Sequence, residues 1–230
     1  MTPTPTAQLT AVTRTVTPAK NGSTVGLSQT FDVAPEQLWE ALTTAERLAR
    51  WFGTARGDVV PGGRYELAEM ETGGRLLEVE PPHRLLLTWE FGKSSSELEL
   101  LIVPAEDSAG TTLTLRHTVP ADAHWATFGP GATGCGWDAA LYALAHHLED
   151  PGADLMRRLG SFAGSPEGAE FTRATAEAWY EAHVAGAQTA SRPARRPCAP
   201  PPPISARRSR PSEGRGGGAL PRRQDRKSVV

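Results

Sequence analysis

Between Gly134 and Glu149 the apolar residues Trp137, Leu141, Leu144 and Leu148 recur at i, i+4, i+7 and i+11. That spacing predicts a long helix with one apolar stripe. Asp138, His146 and Glu149 fall on the other face, where solvent is expected, and Asp150-Pro151-Gly152 ends the helix because proline and glycine cannot continue it. The stripe has to lie against an apolar surface. The chain before it alternates apolar and polar positions, so we expect a curved antiparallel sheet to grip this helix.

A first strand is predicted over 24–33, with Val25, Leu27, Phe31 and Val33 inward and Ser28, Thr30 and Asp32 outward. Pro35 then opens a short helix with Leu38, Ala41, Leu42 and Ala45 on its apolar face. Thr43 and Glu46 stand at capping-box spacing before a second short helix that carries Leu48, Trp51 and Phe52 and stops at Gly53. Further strands follow in a meander. Their inward positions are read as Tyr65 and Leu67; Leu77 and Val79; Leu85, Leu87, Trp89 and Phe91; Leu98, Leu100 and Ile102 after a loop around 92–96; and Leu113, Leu115 and His117. Such even spacing predicts antiparallel pairing through short turns.

Composition divides the chain further. Residues 1–22 are rich in Thr and Pro and read as a disordered N-terminal arm, 23–150 as the folded domain, and 151–190 as a helical extension. The extension has Phe171, Thr175, Ala178, Ala182 and Ala185 on one face, with Trp179, Tyr180 and Val184 beside it, and is expected to pack back on the body or to support a homodimer. From 191 on, 11 of the 24 Lys and Arg stand against Glu213 and Asp225 alone, so a tail of formal charge +9 follows a body of −11. The tail reads as disordered, with four prolines at 200–203 and glycines at 216–218. One reading makes it a basic arm for nucleic acid or a membrane surface. In the other its last residues, Asp225 to Val230, encodable by GAT CGG AAG AGC GTC GTG, are sequencing adapter, and the preceding stretch is linker or out-of-frame DNA. The acidic body argues against a nucleic-acid partner, since neutralising phosphates takes clustered Lys and Arg. No apolar run of membrane-spanning length and no secretory leader pattern occur, and Cys135 and Cys198 lie in different pieces, so a cytoplasmic protein without membrane partner or structural disulfide is expected.

The order of strand, two short helices, meander and long helix resembles the helix-grip fold of the START-like, Bet v 1-like (SRPBCC) superfamily. The likeness is carried by FDVAPEQLWEALTTAERLARWFG at 31–53, PGGRYEL at 61–67, LEVEPPHRLLLTWEF at 77–91, TLTLRHTVP at 112–120 and Gly136-Trp137. It is most similar to the prokaryotic homologues of the activator of the heat-shock-protein-90 ATPase. The resemblance implies an α+β helix-grip fold, with a curved antiparallel sheet of about six strands around a long C-terminal helix. It also implies a non-enzymatic domain that binds a small hydrophobic ligand or a protein partner in the cavity between sheet and helix. Two alternatives come with it: a polyketide cyclase or aromatase-like enzyme, in which His117 would act with Tyr65 or Arg64, and a co-chaperone-like ATPase activator.

The candidate cavity residues are Trp39, Trp51, Phe52, Tyr65, Trp89, His117, Trp137 and Leu141. Aromatic residues in this number supply either core or the walls of an apolar pocket. Alternation aims His117 at the side of Leu113 and Leu115, where a histidine either orients a ligand or is satisfied within the core. Arg56 and Arg64 are candidates for the mouth. His146 and His147, adjacent on a helix, diverge by about 100° and make a poor chelate, so no metal is expected. Cys135 near a helix N-terminus would have a lowered thiol pKa. No phosphate loop, dinucleotide fingerprint or nucleophile elbow is present, and neither a catalytic residue nor a cofactor is expected.

Overall fold

A computed structural model describes residues 3–106 and 108–191. The basic tail therefore lies outside the described residues. Among them, eight strands form one antiparallel sheet: β1 (Thr13–Ala19), β2 (Gly22–Phe31), β3 (Ala55–Gly57), β4 (Arg64–Leu67), β5 (Thr72–Glu80), β6 (Arg84–Phe91), β7 (Ser94–Pro104) and β8 (Thr111–Pro120). Their order is β1-β2-β8-β7-β6-β5-β4-β3, so the chain runs as a meander from β3 to β8 and then closes on β2. Helices α2 (Pro35–Thr43) and α3 (Ala45–Trp51) leave and re-enter the sheet between β2 and β3. The short α4 (Ala123–Phe128) leads into α5 (Gly131–Glu149), the gripped helix. This is the α+β helix-grip fold, with eight strands in place of about six.

Two departures account for the extra strands. The expected arm over 1–22 contains α1 (Pro5–Ala11) and edge strand β1, which pairs with β2 from Thr13↔Ser28 to Ala19↔Gly22. Few large apolar side chains are needed there, because β1 is held by ladder hydrogen bonds and by two inward residues, Val16 and Arg14. β3 is three residues long, too short to show alternation.

Two inward assignments also change. Leu76, not Leu77, enters the core, because a bulge between Leu76 and Glu78 inverts the alternation and leaves Leu77 exposed. Phe91 ends its strand exposed. The loop expected over 92–96 is a two-residue turn, with Phe91 paired to Ser94 and Gly92 at φ 58°, so β7 begins at Ser94 and places Ser96 opposite Trp89. Thr43 makes no cap for α3; it is the last residue of α2, and its hydroxyl donates to the Trp39 carbonyl.

The largest correction concerns the back of α5. Asp138, expected in solvent, is completely buried, and His146 and His147 are buried as well. His147 meets Arg47 of α3, whereas the cover of Asp138 and His146 comes from the strand and helices outside the recognised core: β1, α6 (Leu155–Ala163) and α7 (Pro166–Ser191). On α7, Phe171, Thr175 and Trp179 are buried, and Trp179 is fully enclosed, not flanking the apolar face. Phe162, Phe171 and Tyr142 join in a second aromatic core with ring centroids 5.3–5.9 Å apart.

Asp138 ties these pieces together. Arg14 donates to both its oxygens, from Nη2 at 2.6 Å and Nε at 3.0 Å, and the Trp179 indole N–H donates to Oδ2 at 2.7 Å. The remaining guanidinium nitrogen, Nη1, donates to the carbonyls of Leu9 and Val12. Gly134, one turn before Asp138, supplies the room for the Trp179 ring, since a methyl group there would run into the indole.

Two stability outcomes follow from this packing. Asp138→Ala leaves Arg14 buried without its partner and Trp179 without its acceptor, and should cost about 3–5 kcal/mol in urea denaturation. Gly134→Ala reverses the ordinary helical preference for alanine, worth about 1 kcal/mol, and should lower the melting temperature; a rise would show that Trp179 does not pack as described.

Candidate functional site

The gripped helix does not close fully on the sheet. An apolar cavity of about 140 Å³ remains between α5, the inward faces of β4 to β8, and α3 with the turn after it. Its floor is leucine, from Leu76, Leu85, Leu87, Leu98, Leu100, Leu113 and Leu115 on the sheet and Leu141 and Leu144 on α5. Trp51, Phe52, Tyr65, Trp89 and Trp137 form the aromatic wall. The rings contact one another: Trp89 meets Trp137 edge-on with centroids 5.2 Å apart, Phe52 stacks on Trp137 at 6.3 Å, and Trp51 lies 5.1 Å from Phe52. Arg56, Asp58 and Val59, all exposed, border the mouth.

Six of the eight candidate residues thus meet at one cavity, namely Trp51, Phe52, Tyr65, Trp89, Trp137 and Leu141. Two do not line it. Trp39 is half-buried and packs on the core from α2, and His117 stands behind the wall, 5% exposed. Arg64 also points elsewhere and pairs with Glu90 at 3.0 Å. Apart from Leu141, the sequence marks the leucine floor only as core, because alternation shows a side chain to be inward without telling whether anything packs on it.

Four polar groups that line the cavity are already occupied. The Trp51 indole donates to the Ala41 carbonyl at 3.0 Å, the Tyr65 hydroxyl to the Thr88 carbonyl at 2.8 Å, and the Thr43 hydroxyl to the Trp39 carbonyl at 2.7 Å. The Trp137 indole donates to His117 Nδ1 at 3.0 Å. Burial, with the Glu90 carboxylate nearby, pushes the Tyr65 phenol well above its usual range, so it stays protonated. Burial pulls His117 down to about 4 and keeps the imidazole neutral.

The other titratable candidates are structural. Burial lowers His146 and His147, with cations adding to the effect: Arg158 for the first, Arg47 and Arg50 for the second. Arg47 Nε donates to His147 Nε2 at 3.4 Å. The Cys135 thiol is raised, not lowered, because its burial, with the Asp138 carboxylate nearby, outweighs the hydrogen bond with Thr175. Among the described residues no group of three or more His, Cys, Asp or Glu is arranged to hold a metal, and no helix is long and apolar enough to cross a membrane.

The sequence over 32–149 matches the family model described as activator of Hsp90 ATPase homolog 1-like protein, just over half of the chain. The chain belongs to this family. Among solved structures it is similar to CalU16 from Micromonospora echinospora at 27% identity. The crystal structure gives a TM-score of 0.57 over 75% of this chain and 98% of that one, and the solution structure 0.62 over 76% and 97%. That likeness is longer than the family span, so it includes residues outside 32–149. A conserved protein of unknown function from Enterococcus faecalis, EF2215, shares the fold at 17% identity and TM-score 0.54, over 75% of this chain and 91% of its own. No curated protein sequence matches the chain.

The pH behaviour of the protein should report the burial of His117. An unfolded imidazole titrates near 6.5 and His117 near 4, so between these values the unfolded chain binds a proton that the folded one refuses. Stability should therefore fall as pH drops from 6.5 towards 4, with His117 contributing up to about 1.4 kcal/mol per unit. His146 and His147 act in the same direction. Urea melts across this window check the slope, and His117→Asn should flatten it in part.

Proposed function

We propose that this chain is a non-enzymatic binding domain that takes the apolar end of a small ligand into the cavity and leaves its polar end at the mouth. The observation that carries this reading is the commitment of four of the lining's polar protons. Trp51, Tyr65, Thr43 and Trp137 all donate to protein acceptors, so a guest meets chiefly leucine methyls and ring faces. A polar group carried inward would give up its hydrogen bonds to water without replacement.

Size narrows the guest. A cavity of about 140 Å³ accepts roughly one benzene-sized group, well below the space a drug-sized molecule fills. Arg56 and Asp58 at the rim offer charge and water to whatever projects out. An enzyme folding a carbonyl-rich chain would need acid or base groups aimed at the guest. His117, the natural choice for that role, has both ring nitrogens engaged by Trp137 and Ser96. Nothing in the cavity speaks for ATPase stimulation.

Two isosteric probes test the orientation. p-Cresol can bury its methyl group and keep its hydroxyl at the mouth, whereas hydroquinone must bury one hydroxyl. By isothermal titration to the full chain, p-cresol should bind at least about tenfold tighter, and Leu141→Phe should abolish binding by filling the cavity. Equal affinity for the two probes, or binding unchanged in Leu141→Phe, would overturn the reading.

A further inference from the structure

One polar chain crosses the apolar space between sheet and helix. The Trp137 indole can only donate, so His117 Nδ1, 3.0 Å away, must carry a lone pair. The ring is neutral, and its proton therefore sits on Nε2. From there it is donated to Ser96 Oγ at 2.8 Å, which leaves the serine proton free for the Trp89 carbonyl at 3.1 Å. Each group is used once and in one direction. The relay passes through neighbouring strands: Ser96 is the partner of Trp89 across β6 and β7, and His117 is the partner of Leu98 across β7 and β8. It ends on the ring that forms the α5 side of the cavity.

We propose that His117 is a positioning residue of this cavity: through Nδ1 it holds the Trp137 indole at the angle that keeps the cavity open, and so sets the size of guest admitted without touching the guest. This rests on the cavity being the ligand site. Three contacts make the angle of Trp137 matter. Its ring is edge-on to Trp89 at 68°, nearly parallel to Phe52 at 9°, and edge-on to His117 at 72°. These ring contacts limit where the indole can go, but each tolerates sliding and tilting, whereas a hydrogen bond to a fixed acceptor selects one orientation. Ser96 serves at one remove, since it fixes the tautomer that leaves Nδ1 free to accept.

Two amides of different reach provide the test. Asparagine places its oxygen near the position of Nδ1, and glutamine places its polar end near Nε2. In the full chain, His117→Asn should keep the hydrogen-bonded indole N–H resonance of Trp137 in a nitrogen–proton correlation spectrum, and His117→Gln should shift it. Wild type should prefer p-cresol to 4-ethylphenol, which is longer by one methylene, by roughly tenfold. His117→Asn should retain that preference within about twofold, whereas His117→Gln should lose most of it. Ser96→Ala, at a half-buried site that leaves the core packing intact, should give an intermediate loss. A Trp137 resonance and size preference unchanged in His117→Gln would overturn the proposal, as would equal losses in both amides, which is what a purely structural histidine gives. If wild type binds neither probe, the ligand-binding reading falls and the size-selection claim with it, while the indole resonance still decides whether His117 holds Trp137.

Discussion

The fold depends on a carboxylate that has no access to water. Asp138 is completely buried on the back of α5, and a charge in that position persists only where its partners are complete. Its partners come from the two ends of the folded chain, Arg14 from β1 and Trp179 from α7. The bond therefore sets where the first strand and the last helix lie. It also sets the rotation of α5 about its own axis, because the next residue back, Trp137, is held from the sheet side by His117. Successive helical residues point about 100° apart, so two polar anchors in a row fix the helix as apolar contacts alone would not.

That rotation has consequences for the cavity. Trp137 reaches the sheet with its indole pinned, and the leucines of α5 face the leucines of the sheet across a gap that neither side fills. On the aromatic wall Trp51, Tyr65 and Trp137 already donate to protein acceptors, so what they turn to the gap is ring surface.

The family's sequence span and the physical unit do not coincide. The family model matches 32–149, whereas the residues that neutralise and cover Asp138 stand at 14 and 179. The helix that carries the family likeness is completed by segments outside it. CalU16, similar over a longer stretch than the family model, shows that the likeness does not stop at the helix.

Period-2 alternation in β2, β6, β7 and β8 and the period of Trp137, Leu141 and Leu144 placed the sheet, the gripped helix and most of the aromatic wall without coordinates. Those patterns are legible because one face of each element meets the core and the other does not. Alternation failed at Leu76 and Leu77, where a bulge adds a residue and inverts it, and at Ser96, where a two-residue turn makes strand out of a serine run that reads as loop. β1 was missed because an edge strand clasped by a neighbouring strand and a helix needs little apolar surface of its own. Asp138 and His146 were placed in solvent because a polar residue opposite an apolar stripe ordinarily faces water. Only the tertiary structure brings Arg14 and Trp179 to that side of α5, from 124 residues before Asp138 and 41 after it. The chain's local periodicities determined its elements and their apolar faces; which buried polar groups would find one another was decided by the packing, since a hydrogen bond between distant residues leaves no period in the sequence.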